Sequence, residues 1–206
     1  MRVAVLTLTR DRLEYTKVCF ASLRENAGCD YDHYVLDRAS TDGTREWLDE
    51  YVPYKWCLAD ENLGISKGMN LLLHSLDGEY DVIVKFDNDC ELVQPNTLKR
   101  VCELVMLTGW IHSPKIKGLN HPPLARAKYR LGGVDLLEIP QIGGIFLAAP
   151  ASLYDTFRFN ENNPKWGADD VEICQGRRCG YVDGIEAWHY ESTSGQHERY
   201  PSYFAR

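Results

Sequence analysis

The chain has 206 residues, of which 44% are hydrophobic, 11% aromatic and 26% charged, and its formal net charge is −7. This composition is typical of a folded globular protein with a substantial core, and it argues against a disordered chain. The negative charge argues against a broadly basic surface for nucleic acid or membrane. The longest apolar run, IGGIFLAAPA, is shorter than the roughly 18 to 20 residues of a membrane-spanning helix.

Seven cysteines are scattered along the chain without a pair of CxxC motifs, which argues against a zinc site and favours a reducing compartment. Cys174 and Cys179 in CQGRRC would lie near each other on a helix, and we expect buried, inert thiols there. The start of the chain, MRVAVLTLTRDR, alternates like a strand and lacks a small-residue cleavage site. We therefore expect a cytoplasmic protein with no transmembrane segment.

Strands and helices alternate through the first half of the sequence. RVAVLTLT and DHYVLD read as strands, and the helix between them, RLEYTKVCFASLREN, is introduced by a predicted capping box from Asp11 to Glu14. The next predicted elements are helix TREWLDEYV, strand YKWCLA, helix ISKGMNLLLHSL, strand YDVIVKF and helix PNTLKRVCELVML. This order predicts a Rossmann-like α/β unit, in which helices cover a mainly parallel sheet.

The rhythm changes after about residue 113. The segment SPKIKGLNHPPLARAKYRLGG is rich in proline and glycine and lacks a clear period, so we predict a loop. An apolar strand, IPQIGGIFLAAP, follows, and then a helix, ADDVEICQGRRCG, that ends at Gly180. YVDGIEAWHY is the last strand-like segment, and we expect one domain over residues 1–206.

Polar loops follow the predicted strands of the first half. Ligands bind beyond the carboxyl ends of parallel strands, so chemistry is expected in LTRDR, DRASTDGT, ADENLGISKG and DND. Neither GxGxxG nor GxxxxGK[ST] is present, which argues against a dinucleotide fingerprint and a P-loop. The DND segment at 87–89 has two interpretations. It is either a plain turn or a source of oxygen ligands for a divalent cation.

Seven segments in a fixed order carry a resemblance to a known family: TLTRDR, LDRASTDGT, ENLGISKGMN, VKFDNDCEL, IGGIFLAAP, WGADDVEIC with GRRCGY, and WHYES. Together they resemble the GT-A glycosyltransferases, most of all the family-2 group, over roughly residues 2 to 192. The resemblance implies a GT-A fold with a nucleotide-binding half at about 1–113 and a donor-sugar and acceptor half at 114–206. It also implies metal-dependent transfer of a sugar, with a UDP-sugar as the expected donor, to an acceptor hydroxyl.

The resemblance assigns a Mn²⁺ or Mg²⁺ ion to the DxD motif. In the family the last Asp of this motif, here Asp89, binds the metal directly, and the first, Asp87, contacts the ribose or the metal through water. A late histidine, here His189, is a further ligand in many members, and a packed core histidine is the alternative. An ion held there acts as a Lewis acid on the leaving diphosphate.

The resemblance also assigns residues to the nucleotide. The sequence departs from the family in the loop after the second strand, where Arg38 replaces the usual Asn, and the geometry of that loop is left open. Asp42 with Gly43 is equally a turn signal, and Lys67 is equally a solvated lysine. The residues expected to contact the nucleotide are Thr7, Thr9, Arg10, Asp37, Asn62, Gly64 and Lys67.

Two further segments are expected at the donor sugar. Gly143 and Gly144 would let the backbone approach the sugar closely, or they form a bulge in an apolar strand. Trp166 would stack on a sugar face, or it packs in the core.

An acidic pair supplies the candidate general base. In the family the second residue of this pair, here Asp170, removes the proton of the acceptor hydroxyl, and Asp169 has a supporting role at the acceptor. The alternative is that Asp169 is only an N-cap, in a capping box with Glu172. A base acting in line against a metal-held diphosphate would invert the anomeric centre.

Two other functions are weighed against transfer. A non-catalytic nucleotide-sugar-binding protein would keep the fold, but the joint presence of Asp87, Asp89, Asp170 and His189 argues against it. A sugar-nucleotide pyrophosphorylase also has an α/β nucleotide fold, but its early glycine-rich phosphate loop is missing here. The acceptor stays open between a glycan, a protein, a lipid-linked molecule and a small molecule, and a nucleic acid is disfavoured.

Overall fold

The computed structural model describes residues 1–50, 55–118, 125–163 and 168–190. The helices are α1 (Leu13–Asn26), α2 (Thr44–Glu50), α3 (Gly64–His74), α4 (Thr97–Thr108) and α5 (Ala168–Cys174), with a 3-10 helix at Ala151–Asp155. The strands are β1 (Val3–Thr9), β2 (Asp32–Arg38), β3 (Lys55–Ala59), β4 (Val82–Phe86), β5 (Cys90–Leu92), β6 (Ile111–Lys117), β7 (Ala127–Leu131), β8 (Val134–Ile139), β9 (Phe146–Pro150) and β10 (Cys179–His189).

The ten strands of the described residues belong to one sheet with the order β3-β2-β1-β4-β9-β6-β10-β8-β7, and β5 pairs with β10 off this path. The first four strands in this order, β3, β2, β1 and β4, are parallel to one another. From β9 onward most neighbours are antiparallel, and β6 with β10 is the exception. The predicted α/β fold with helices on a central, mainly parallel sheet is confirmed, and antiparallel strands extend it on the C-terminal side.

The core lies where helices cover the centre of the sheet. Every residue of β1 and β4 is buried, as expected for parallel strands that are packed on both faces. Helix α3 packs on β1 and β2, and α4 packs on β6 and β9. Each of the two turns an apolar face inward, with Met69 and Leu72 on α3 and Val101 and Val105 on α4. The carboxyl ends of β1, β2 and β4 therefore extend from strands that are fixed by the packed core.

The predicted loop after residue 113 is wrong over much of its length. Strand β6 continues to Lys117, and β7 and β8 form a hairpin whose turn residues Gly132 and Gly133 have φ values of 56° and 78°. Positive φ at both turn positions is typical of a tight hairpin, and glycine adopts it without strain. The predicted last helix ends at Cys174, before Gly180, because residues from Cys179 onward pair within β10.

The predicted capping box at the start of α1 is also wrong. Arg12, the residue before α1, has a left-handed backbone with φ of 63°. The Asp11 carboxylate accepts a hydrogen bond from the Thr41 backbone N–H at 2.8 Å, so it ties two loops together and does not cap the helix. Within the described ranges, none of the helices has the length and apolar character that crossing a bilayer requires.

Candidate active site

Distant segments meet the DND loop because of how the strands pair. Strand β9 runs antiparallel to β4 with Phe146 opposite Phe86, so the turn that contains Gly143 and Gly144 reaches the end of β4. The Asp87 backbone N–H donates to the Ile145 carbonyl at 2.8 Å and fixes this approach. Strand β10 runs antiparallel to β5 and places His189 opposite Cys90. Sheet topology therefore brings three parts of the chain to the carboxyl edge of the sheet.

Asp89 is the centre of a buried polar network. Its Oδ2 lies 2.6 Å from Arg12 Nη1 and 3.1 Å from His189 Nε2. Arg12 also donates through Nη2 to Asn88 Oδ1 at 2.7 Å, and Asn88 Nδ2 donates to Thr16 Oγ1 at 2.8 Å. Asn88 and Asp89 are 1% and 4% exposed, which sets this loop apart from a solvated surface turn.

Asp89 and His189 are the predicted ligands of a divalent cation, and this assignment stays a prediction. One carboxylate oxygen and one imidazole nitrogen lie 3.1 Å apart, and such a mixed oxygen and nitrogen donor set suits Mn²⁺. In the ranges that the structure describes, no group of three His, Cys, Asp or Glu side chains is placed to hold a metal ion. Asp87 contacts Lys85, and its assignment as a metal ligand stays a prediction.

Lys85 joins the DND loop to the acidic pair. Its side chain is 5% exposed, and its Nζ lies 2.9 Å from Asp87 Oδ1 and 3.5 Å from Asp169 Oδ2. It also donates to the Gly144 carbonyl. Burial lowers the pKa of Lys85, but Asp87, Asp169 and Asp170 raise it more, and the net pKa is above its ordinary value. The lysine is therefore a fixed positive charge among three carboxylates.

Asp170, the predicted general base, is the second carboxylate of the acidic pair. It lies with Asp169 in the first turn of α5. Burial, followed by the charge of Asp169, raises the pKa of Asp170 well above its ordinary value, whereas Lys85 and the Gly144 backbone N–H lower it. A carboxylate with a raised pKa is more basic when ionised, and the assignment of Asp170 as the general base stays a prediction.

The capping-box alternative for Asp169 is not what the structure forms. Glu172, the required partner, accepts hydrogen bonds from the Asn160 backbone N–H at 3.1 Å and from Asn163 Nδ2 at 3.0 Å. Asp169 is 4% exposed and faces Lys85. Its position is therefore set by a tertiary ion pair.

Gly144 is required by the closeness of the acidic pair. A Cβ atom at this position would overlap Asp170 Oδ1 and lie 2.6 Å from Lys85 Nζ. At Gly143 an added Cβ would meet nothing within 4 Å among the described residues. The two adjacent glycines thus differ in the space around them. The absence of a side chain at Gly144, and not at Gly143, is what allows this turn to contact α5.

Three of the residues predicted to contact the nucleotide are fully buried: Thr7, Thr9 and Asp37. The Asp37 carboxylate accepts hydrogen bonds from Thr9 Oγ1, from both the backbone N–H and the hydroxyl of Ser40, and from Arg45 Nε. Four donors fill the acceptor positions of a carboxylate. A direct nucleotide contact from Asp37 would require one of these bonds to open, and the assignment stays a prediction.

The other predicted nucleotide residues reach the surface. Asn62 and Lys67 are exposed, and Arg10 and Gly64 are partly buried. Asn62 Oδ1 accepts from the Gly64 N–H at 3.2 Å and shapes the start of α3, where Gly64 has a φ of 72°. These four residues remain accessible to a ligand. Trp166, predicted to stack on a sugar, lies outside the described residues.

Two members of the site, Arg12 and Lys85, were not among the residues predicted from the sequence. Lys85 carried a signal, because a lysine in the apolar run VIVKF is almost never buried unless it is paired. Arg12 carried a weaker one, since LTRDR offers two arginines and only Arg10 was assigned. Asp42, the suspected turn residue, accepts from the N–H groups of Thr44 and Leu13 at 3.2 and 2.8 Å and orders the starts of two helices.

A Rossmann-like sheet that carries a DND loop and an acidic pair on its carboxyl side is the GT-A fold of glycosyltransferases. The sequence profile described as "Glycosyl transferase family 2" matches residues 4–106. The chain belongs to glycosyl transferase family 2, which confirms the predicted resemblance. Among curated proteins, none matches the sequence.

Solved structures of glycosyltransferases share the fold at low sequence identity. The S. aureus TarS structure 1–349 has a TM-score of 0.70 at 16% identity, over 92% of this chain and 60% of that one. The structure of GalNAc-T7 with UDP, GalNAc and Mn²⁺ has a TM-score of 0.76 at 14% identity, over 91% of this chain and 42% of that one. The mannosyltransferase PcManGT from Pyrobaculum calidifontis, in complex with GDP-Man and Mn²⁺, has a TM-score of 0.68 at 16% identity, over 96% of this chain and 59% of that one. The chain thus spans 42 to 60% of these three proteins.

Proposed function

We propose that the protein transfers a sugar from a nucleoside diphosphate sugar, with a UDP-sugar as the expected donor, to an acceptor hydroxyl. One observation carries this proposal. The Lys85 ammonium lies 2.9 Å from Asp87 of the DND loop and 3.5 Å from Asp169 of the acidic pair. The expected donor side and acceptor side of the site are thus adjacent, as group transfer between two substrates requires.

In the proposed mechanism Asp170 is the general base. It takes the proton of the acceptor hydroxyl as the oxygen attacks the anomeric carbon, and the bond from that carbon to the diphosphate oxygen breaks. The attacking and leaving oxygens lie on opposite faces of the carbon, so the anomeric centre is inverted. Asp169 helps to hold the acceptor, and the nucleoside diphosphate carries away the bonding electron pair.

Asp89 and His189 would hold the Mn²⁺ or Mg²⁺ ion. When bound, such an ion supplies Lewis-acid stabilisation of the negative charge that develops on the leaving diphosphate. The complexes of GalNAc-T7 with UDP and Mn²⁺ and of PcManGT with GDP-Man and Mn²⁺ support the combination of a nucleotide and a metal. TarS has been solved with UDP-GlcNAc, which supports a UDP-sugar as the first donor to test.

We further propose a reducing compartment such as the cytoplasm, since all seven cysteines are free thiols. The division into a nucleotide half at about 1–113 and a sugar and acceptor half at 114–206 is part of the same proposal. It is supported by the parallel strands β1 to β4 in the first half and by the acidic pair in the second.

A donor screen tests the proposed function. Release of nucleotide and the shift in melting temperature would be measured with UDP-, GDP-, TDP- and CMP-sugars, each with and without Mn²⁺. We expect one nucleotide class to raise the melting temperature in Mn²⁺ and to be turned over. A rise in melting temperature without turnover for any donor and acceptor would favour the non-catalytic binding protein. If no donor raised the melting temperature and none were turned over, both the transferase and the binding-protein hypotheses would be overturned.

A further inference from the structure

Lys85 has no assigned role in glycosyl transfer, yet it occupies an energetically demanding place. It lies in the centre of the sheet on β4, within VIVKF, and is 4% exposed. Burial of an ammonium group is strongly unfavourable unless partners replace the lost hydration. The residue is therefore held where it is by specific neighbours, and those neighbours are the carboxylates of the site.

The Lys85 ammonium makes two hydrogen bonds and one further ion pair inside the protein. It has three N–H donors, and three acceptors surround it: Asp87 Oδ1, Asp169 Oδ2 and the Gly144 carbonyl. These acceptors belong to the DND loop, to α5 and to the turn before β9. With three partners and almost no exposed surface, Lys85 is arranged to connect these segments and does not reach a substrate.

The same contacts set the place of Asp170. Gly144 is so close to this residue that a Cβ would overlap Asp170 Oδ1, and the Gly144 N–H is hydrogen bonded to it. Lys85 holds Gly144 from the carbonyl side and Asp169 from the carboxylate side. Asp170 follows Asp169 in the chain, so two of the contacts that hold it in place depend on one ammonium group.

We propose that Lys85 is a positioning residue that fixes the general base Asp170 relative to the donor-binding loop. This inference rests on the proposed glycosyl transfer. Without the ammonium, the carboxylates of Asp87, Asp169 and Asp170 would repel one another, and α5 would move away from the DND loop. Displacement of a reacting group by about 1 Å costs on the order of 10²-fold in rate.

The test is a double-mutant cycle on turnover. Lys85→Met keeps a long side chain but removes the charge and all three donors, and we expect kcat to fall on the order of 10²-fold. The affinity for UDP in Mn²⁺, measured by calorimetry, should stay within about twofold. Because Lys85 acts through Asp169, adding Lys85→Met to Asp169→Asn should lower kcat by far less than the product of the two single effects.

Two more variants make the result decisive. Lys99→Met removes an exposed lysine on α4 and should leave kcat unchanged. Lys85→Arg keeps the charge with different donor geometry. We expect this variant to fold and to bind UDP, but its kcat should stay below that of the parent protein. A parental kcat in Lys85→Met would overturn the inference about Lys85 and leave the proposed function standing. If Lys85→Met does not fold, a parental kcat in folded Lys85→Arg would have the same consequence. Fully multiplicative effects of the two substitutions in the cycle would also overturn the inference. If the unmodified protein turns over no donor, the proposed function falls and the role of Lys85 falls with it.

Discussion

Arg12 and Asp89 form a buried ion pair in which Nη1 lies 2.6 Å from Oδ2, and their side chains are 5% and 6% exposed. The same oxygen of Asp89 lies 3.1 Å from His189 Nε2. An arginine at the start of α1 thus anchors the carboxylate that is predicted to bind the metal. Removal of one partner of a buried pair typically costs about 3 to 5 kcal/mol. For this reason a test of Asp89 should keep a hydrogen-bond acceptor for Arg12.

Asp89→Asn should uncouple nucleotide binding from the metal. The amide oxygen still accepts a hydrogen bond from Arg12, but it is a poorer metal ligand than a carboxylate. We expect the affinity for UDP in Mn²⁺ to fall at least roughly 10-fold, while the weaker binding without metal stays the same. Calorimetry with and without Mn²⁺ measures both. Asp183→Asn, an exposed change on β10, is the control, and equal Mn²⁺-dependent affinity in Asp89→Asn would remove Asp89 from the metal site.

Asp170→Asn should separate catalysis from binding. The change keeps the volume of the side chain but removes the basic oxygen, so turnover should fall by roughly 10²- to 10⁴-fold. That loss corresponds to about 3 to 5 kcal/mol of barrier. Donor affinity and melting temperature should change little. A variant that melts at a lower temperature but keeps full turnover would show that Asp170 is structural.

Gly144→Ala and Gly143→Ala should have different effects although the two positions are adjacent. The new methyl group at 144 overlaps Asp170 Oδ1, whereas at 143 it meets nothing within 4 Å among the described residues. We expect Gly144→Ala to lose roughly 1 to 3 kcal/mol of unfolding free energy and most of its turnover. Gly143→Ala should stay within about 0.5 kcal/mol. Urea titration with turnover assays decides this, and equal behaviour of the two variants would contradict the described packing.

His112 should make the protein less stable at acidic pH. It is fully buried, and its Nδ1 lies 3.2 Å from the Gly180 carbonyl oxygen. Burial lowers the pKa of His112 from 6.5 to about 4, against a smaller opposing effect of the Gly180 hydrogen bond. Burial likewise lowers the pKa of His33 to about 3. Since the unfolded chain then binds more protons than the folded chain, this contribution is complete above about pH 6.5 and is lost as the pH falls toward 4.

The measurement for His112 is the unfolding free energy in urea at several pH values. Each buried histidine should contribute a slope of up to roughly 1.4 kcal/mol per pH unit in this window. His112→Gln removes one titrating group, so its stability should fall less steeply with decreasing pH than that of the parent. Parallel curves for parent and variant would show that His112 does not titrate differently in the folded and unfolded chains.

The sequence by itself determined the parallel half of the fold. RVAVLTLT and YDVIVKF are mostly apolar segments bounded by polar loops, which predicts strands, and both form buried central strands. The polar segments that follow them had to lie at one edge of the sheet, since parallel neighbours end on the same side. For that reason the DND loop was recognisable from the sequence as part of a candidate site, whereas the acidic pair and the family were indicated by the resemblance of seven ordered segments.

The tertiary structure alone decided which charges are paired. Arg12 and Asp89 are 77 residues apart, and Lys85 and Gly144 are 59 apart, distances over which helical or strand periodicity carries no information. The hairpin of β7 and β8 was hidden for a related reason, because it has one exposed face and few buried residues to set a period. Whether a buried charge is tolerated depends on distances of about 3 Å to its partners, and those distances exist only after the sheet has brought separate loops together.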